Sequence, residues 1–232
     1  HRLLLVVHHL VVDVVSWRVV LEDLDALVGQ VSRGEELVLP PKSSAWQQWA
    51  GRLREEASGE ETLGELAYWR EQVRPAGEVP LDGSGEGGNT VAGSRVYEAV
   101  LGEEEVRGLL RDLPAAFRTR VNDVLLTAVA SAVGEWTGSD RVRVDLEGHG
   151  REELFGDVDV SRTAGWFTTI SPLRLPVPEV SALGEGLKRV KEMLRERPRH
   201  GIGFGLLAHG PVETELTGSA PAQISFNYLG QF

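Results

Sequence analysis

Residues 2–17 read RLLLVVHHLVVDVVSW: five consecutive apolar residues deliver two adjacent histidines, and Asp13 stands four positions beyond His9. A short apolar run ending in paired ionisable groups predicts a buried strand that surfaces at His8 and His9. Strand ends are rigid and open onto loops, where chemical groups are displayed. Neighbouring side chains on a strand point to opposite faces, so one histidine is expected to face a cavity and the other the packed side.

Further on, apolar spacing predicts an amphipathic helix over residues 15–28, with Ser16 as its candidate cap and Val19, Val20, Leu24, Leu27 and Val28 on one face. Two more helices are predicted at 44–56 and 63–73, the second opened by a capping box of Ser58 and Glu61. Their Trp46, Trp49 and Trp69 read as surfaces docked against the rest of the fold rather than as a ligand cage. Residues 75–94 (PAGEVPLDGSGEGGNTVAGS) carry no periodicity and much Gly, Ser and Pro, so a linker and a domain boundary are expected there.

After the linker, a strand is predicted at 95–101 and helices at 103–113 and 121–137, the last rich in Ala and Val and expected to be buried on most sides. Residues 141–146 (RVRVDL) alternate strictly, with Val142, Val144 and Leu146 on one face. They run into EGHGRE at 147–152, where two glycines flank His149 and permit a sharp turn, so Glu147 stands at a strand end as His9 does. A helix over 182–197 is followed by PRHGIGFG (198–205), read as a turn demanding positive φ rather than a phosphate cradle, because its spacing fits no nucleotide fingerprint. A strand-like AQIS then leads to FNYLGQF at 226–232.

Composition narrows the function. A net charge of −11 argues against a general nucleic-acid binder, which needs a basic face. The chain has no cysteine, which excludes disulfides, thiolate metal sites and a cysteine nucleophile, and suits a cytoplasmic protein. No apolar run approaches the roughly 20 residues a bilayer requires, so no membrane association is expected. The chain opens inside a strand-like run without an initiator Met, which predicts a piece preceded by further residues.

A histidine and a glutamate at two strand ends could remove a proton from one face of a carbon and return it on the other. The residues alone leave equally open that His9 is a hydrogen-bonded core residue and Glu147 an ordinary strand-end carboxylate. A metal site from His8, His9, His149 and Glu147 is weaker, since adjacent strand histidines diverge and no two-histidine helical spacing occurs. No GxSxG elbow supports a serine hydrolase.

HHLVVDVVSW, DVLLTAV, EGHGRE, RTAGWFT, PRHGIGFG and FNYLGQF occur in the order and rough spacing of the motifs of an epimerization domain of nonribosomal peptide synthetases, within the condensation-domain superfamily. The resemblance spans the whole chain. HHxxxD is shared with condensation domains and chloramphenicol-acetyltransferase-like enzymes generally, whereas EGHGRE together with FNYLGQF is similar to epimerization domains in particular. It implies an α/β fold of two chloramphenicol-acetyltransferase-like lobes meeting at a cleft. Residues 1–75 would be the end of an incomplete N-terminal lobe, 76–94 the inter-lobe linker and 95–232 most of the C-terminal lobe.

The implied substrate is an aminoacyl or peptidyl thioester on the 4′-phosphopantetheine arm of a peptidyl carrier protein, inverted at its α-carbon. The chain itself would bind no cofactor, and its partners would be that carrier, an adenylation domain and a downstream condensation domain. By the same resemblance His9, Glu147 and Tyr228 are the catalytic candidates, and Asn227, Val14, Ser16 and Trp17 line the cleft. Asp13 is structural and would pair with an arginine, for which Arg162 is the candidate; His8 would orient the local backbone or pack, and His149 and Arg151 would shape the surroundings of Glu147. Two departures bear on activity. Val14 stands where the family carries glycine, an obstacle if that position needs positive φ or a close approach by substrate. The first stretch of the family is absent. Phe204 for tyrosine and Ala164 for valine are tolerable changes. A condensation-type acyltransferase and a catalytically impaired carrier-docking domain are the alternatives.

Overall fold

The computed structural model describes residues 2–81 and 90–230. In chain order it contains helices α1 (Val14–Arg33), α2 (Trp46–Glu56), α3 (Glu60–Gly64), α4 (Leu66–Gln72), α5 (Glu103–Arg107), α6 (Leu113–Phe117) and α7 (Val121–Thr137). Strands β1 (Arg141–Gly148) and β2 (Thr169–Pro176) follow, then α8 (Leu183–Glu196), α9 (Ile202–His209) and β3 (Ser225–Phe226). The three strands form one sheet in the order β2-β1-β3. The mixed α/β class agrees with the sequence reading.

The chain forms two compact units, each discontinuous in sequence. The first holds the residues up to Arg70, Leu146–Ser171 and Pro198–Ala220; the second holds Glu71–Asp145, Pro172–Arg197 and the residues from Pro221 onward. The expected division is linear, at 76–94, whereas these units interleave; residues 82–89 of that linker lie outside the described residues.

In the first unit, Trp49, Val160, Phe167 and Ile202 form a buried cluster. Trp46 packs edge-on against Phe167 with ring centroids 4.7 Å apart, and Trp69 is fully buried beside Phe204. The tryptophans of α2 and α4 do dock into the fold, as their helical spacing predicts. In the second unit the alternation of β1 is realised, with Val142 and Val144 buried and Arg143 turned away to donate to the Val73 and Pro221 carbonyls. Helix α7 packs on α8. It buries one face, Asp123, Leu126, Thr127, Ala130 and Gly134, rather than most sides as expected; this is the i, i+3, i+4, i+7 stripe of a surface helix.

Two predicted strands do not form. Residues 3–7 and 95–101 are exposed and pair with no strand among the described residues. Their apolar composition suits a strand, but a strand needs a partner ladder, which local sequence does not supply. Other differences are local. Asp13, not Ser16, caps α1: its carboxylate accepts from the Ser16 amide at 2.7 Å. The helix runs five residues beyond the predicted end and stops at Gly34 in the left-handed conformation. The predicted helix at 63–73 is broken at Glu65 into α3 and α4, and Gly59 rather than Ser58 caps α3. A π-helical turn over Gly108–Asp112 interrupts the helix predicted at 103–113. Within PRHGIGFG, Gly201 has the expected positive φ, but Gly203 and Gly205 lie inside α9.

Candidate active site

The site is built around a buried ion pair. Asp13 and Arg151 side chains are each 6% exposed, with Nη2 of Arg151 3.0 Å from Oδ1 of Asp13. Asp13 also accepts from the Ser16 amide and hydroxyl, each at 2.7 Å, and from the Phe167 amide at 3.3 Å. Nη1 of Arg151 donates to the carbonyls of Val160 and Thr163, and the guanidinium lies 4.0 Å from the Phe167 ring centroid. The Ser16 oxygen accepts from Gly165 N–H and from Arg151, and its one proton is shared between Asp13 and the Gly165 carbonyl. These bonds offset much of the cost of burying the charge pair, although Nε of Arg151 is buried without a partner. Burial by itself would raise the Asp13 carboxyl, but the bonds from Ser16 and Arg151 outweigh it and hold the carboxyl below its ordinary value.

This arrangement corrects three expectations. The partner of Asp13 is Arg151, not Arg162, which instead pairs with Asp23 and Glu22 of α1. Ser16 has no exposed surface and belongs to the ion-pair network rather than to a cleft wall. His8 is not on a packed side. Residues 9–11 form a 3₁₀ turn, not a strand end, so the two histidines do not alternate. His8 is exposed and its Nδ1 accepts from the Leu10 amide at 3.1 Å, which fixes the local backbone.

His9 is exposed and reaches this network only through a neighbouring ring. Its ring lies 5.1 Å from that of Trp166, the residue between Gly165 and Phe167 that both bond into the network. Glu147 is the penultimate residue of β1 and half-buried. Beyond it, Nδ1 of His149 accepts from the Arg151 amide at 3.0 Å while Nε2 faces Glu152 at 3.3 Å. Gly150 has φ +68°, and a Cβ there would stand 1.6 Å from the Phe167 carbonyl oxygen, so the close turn of EGHGRE requires glycine. His9, Glu147, Asp13 and Arg151 therefore belong to one unit. Val14 is the first residue of α1, in helical conformation and 45% exposed; no positive φ is demanded of it. Trp17 follows half-buried in the first turn. Asn227 and Tyr228 are in the second unit, just beyond β3 and exposed.

Sequence reasoning missed Trp166 as the ring against His9, Glu152 as the partner of His149, and Arg199. Arg199 and His200 have φ of 40° and 53°, each costing roughly 1–2 kcal/mol for a residue with a Cβ. Among the described residues no cluster of three or more His, Asp or Glu is arranged to hold a metal, and no helix is long and apolar enough to cross a membrane.

A histidine and a glutamate, each four residues ahead of one half of a buried ion pair, are what a family comparison must account for. The model of the family described as "Condensation domain" matches residues 1–232. The chain belongs to the condensation-domain family. Among solved structures it is similar to the epimerization domain from the third module of tyrocidine synthetase B, with a TM-score of 0.83 and 36% identity over 97% of this chain and 51% of that one. The first condensation domain of the calcium-dependent antibiotic synthetase, at a TM-score of 0.64 and 22% identity over 84% of this chain and 44% of that one, shares the fold. Among curated proteins, a linear gramicidin synthase of Brevibacillus parabrevis is 44% identical over 100% of this chain and 5% of its own length. Surfactin synthase subunit 1 of Bacillus subtilis (strain 168) is 43% identical over 100% of this chain and 7% of its own. The chain thus spans about half of the solved epimerization domain and a small part of the synthases.

Proposed function

We propose that this condensation-family chain is part of an epimerization domain that inverts the α-carbon of an aminoacyl or peptidyl thioester. The observation that carries the reading is the 36% identity and 0.83 TM-score to an epimerization domain over 97% of the chain. The distinctive EGHGRE and FNYLGQF stretches support it. The substrate would arrive on the 4′-phosphopantetheine arm of a peptidyl carrier protein, with adenylation and condensation domains as neighbours in the synthetase. A thioester acidifies its α-proton, and a histidine and a carboxylate can serve as base and acid on the two faces of the resulting enolate. His9 and Glu147 take those roles, held by the Asp13–Arg151 pair four residues beyond each.

The test is incubation of the protein with a loaded carrier in deuterated water, followed by chiral analysis of the released amino acid. Wild type is expected to give D-product with deuterium at the α-carbon, and His9→Ala and Glu147→Gln each to abolish the D-product. Deuterium uptake retained in one variant identifies the residue on the opposite face. Unimpaired epimerization in both variants rejects the assignment.

A second reading, amide formation by a condensation-type acyltransferase, is favoured by the family match itself. Addition of a second, acceptor-loaded carrier separates the two: a peptide bond without α-deuteration supports condensation.

A further inference from the structure

We propose that Arg199 is a positioning residue for Glu147, acting through the left-handed turn that it anchors. The PRHGIGFG stretch has no part in the acid/base chemistry above, yet Arg199, His200 and Gly201 take left-handed conformations in succession, with φ of 40°, 53° and 96°. Glycine adopts such angles freely, so a chain that needs only to reverse here has no use for arginine and histidine. What these two side chains hold accounts for the strained turn.

The Arg199 guanidinium is largely buried and uses all its edges. Nε donates to Oε1 of Glu65, Nη1 to Oε1 of Glu56 at 2.9 Å, and Nη2 to Thr62 Oγ1 at 2.8 Å. Oε2 of Glu65 accepts from the indole N–H of the buried Trp69 at 2.7 Å. Residues at the end of α2, in α3, and on either side of the α3–α4 break thus make a fixed base for the turn.

The opposite side of the turn meets the strand end that carries Glu147. A Cβ placed on Gly148 would come within 3.9 Å of the His200 carbonyl oxygen, and nearer, at 2.9 Å, to Thr169 Oγ1 of β2. Nε2 of His200 is 3.9 Å from Oε2 of Glu152, whose Oε1 is 3.3 Å from Nε2 of His149. The loop from 148 to 152 thus borders the His200 side of the turn, and Arg199 anchors the turn. Loss of the guanidinium fork frees the turn and lets the end of β1 move.

The proposal rests on Glu147 being an acid/base group, and its test separates the two ideas. Arg199→Lys keeps the charge and loses the fork; Glu56→Gln weakens the same anchor more gently. Amide hydrogen exchange is followed in the protein alone, and α-proton exchange with a loaded carrier. In Arg199→Lys, exchange at 147–152 is expected to quicken while α1 amides stay protected, and kcat to fall on the order of 10- to 100-fold with KM nearly unchanged. Glu56→Gln is expected to change both in the same direction by less. Unaltered exchange at 147–152 in both variants overturns the anchor. A loosened loop with full kcat, or a loss of protection shared by α1, overturns the positioning role. If wild type itself exchanges no α-proton, the reading of Glu147 fails, and amide exchange alone decides the anchor.

Discussion

Nη2 of Arg151 lies 3.0 Å from Oδ1 of Asp13, and each residue stands four positions after a candidate acid/base group, Asp13 after His9 and Arg151 after Glu147. One ion pair therefore holds both stretches. Removal of one partner leaves the other charged, buried and uncompensated. Arg151→Ala is expected to cost about 3–5 kcal/mol, measured by urea unfolding.

The pair also fixes a pH dependence. The folded carboxyl of Asp13 is held below its ordinary 3.8, since hydrogen bonds from Ser16 and Arg151 outweigh the opposing effect of burial. A depressed folded value means that its stabilisation is fully present above the unfolded value and is lost as pH falls through the folded one. The stability difference between wild type and Asp13→Asn should accordingly be largest near neutrality and shrink below pH about 4, as thermal melts over a pH series would report.

Asp123 behaves in the opposite sense. Burial raises its carboxyl, and the Arg120 amide with the charges of Arg195, Arg120 and Lys191 offsets this only in part. A raised folded value adds stability below the unfolded value and loses it as pH rises through the folded one. Asparagine keeps an oxygen to accept from the Arg120 amide, now 2.7 Å from Oδ2. Asp123→Asn is therefore expected to match or exceed wild-type stability at pH 7 and to lose that advantage below pH about 4.

Two glycines with the same φ of +68° should respond differently to alanine. At Gly34 a Cβ meets nothing within 4 Å, so only the conformational cost, about 1 kcal/mol, is expected. At Gly150 the Cβ would overlap the Phe167 carbonyl at 1.6 Å, and a loss of about 3 kcal/mol or more is expected. Chemical denaturation of both variants measures the contrast directly.

Val14 is helical, so replacing it by glycine relieves no backbone strain. Val14→Gly is expected to lower stability by up to about 1 kcal/mol. A gain in turnover alongside that loss would mean that the exposed side chain crowds the substrate.

What the sequence made legible follows from how local each feature is. The β1 strand was readable because one-sided burial writes its period directly into the residues, whereas the Ala- and Val-rich composition of α7 marked a helix but hid that only one face is buried. Residues 3–7 and 95–101 have strand composition, but pairing depends on a distant ladder that no local pattern encodes. His9 and Glu147 could be singled out by residue type and motif, whereas the partner of Asp13 could not, because the choice between Arg151 and Arg162 is made by tertiary packing. The matching four-residue spacings were the available signal. A turn of positive φ was expected in PRHGIGFG, but its extension to Arg199 and His200 was hidden, because glycine is the residue type that adopts such angles freely.

The interleaving of the two compact units has a consequence for recombination. The glycine-rich stretch at 76–94 looks like a natural crossover point for exchanging pieces between synthetases. A crossover there would give the helices before Arg70 a foreign Leu146–Ser171 and Pro198–Ala220, and with them a foreign partner for Asp13 and a foreign arginine for Glu65. Chimeras joined at that point inherit mismatched parts of both interleaved units, because neither unit is continuous across it.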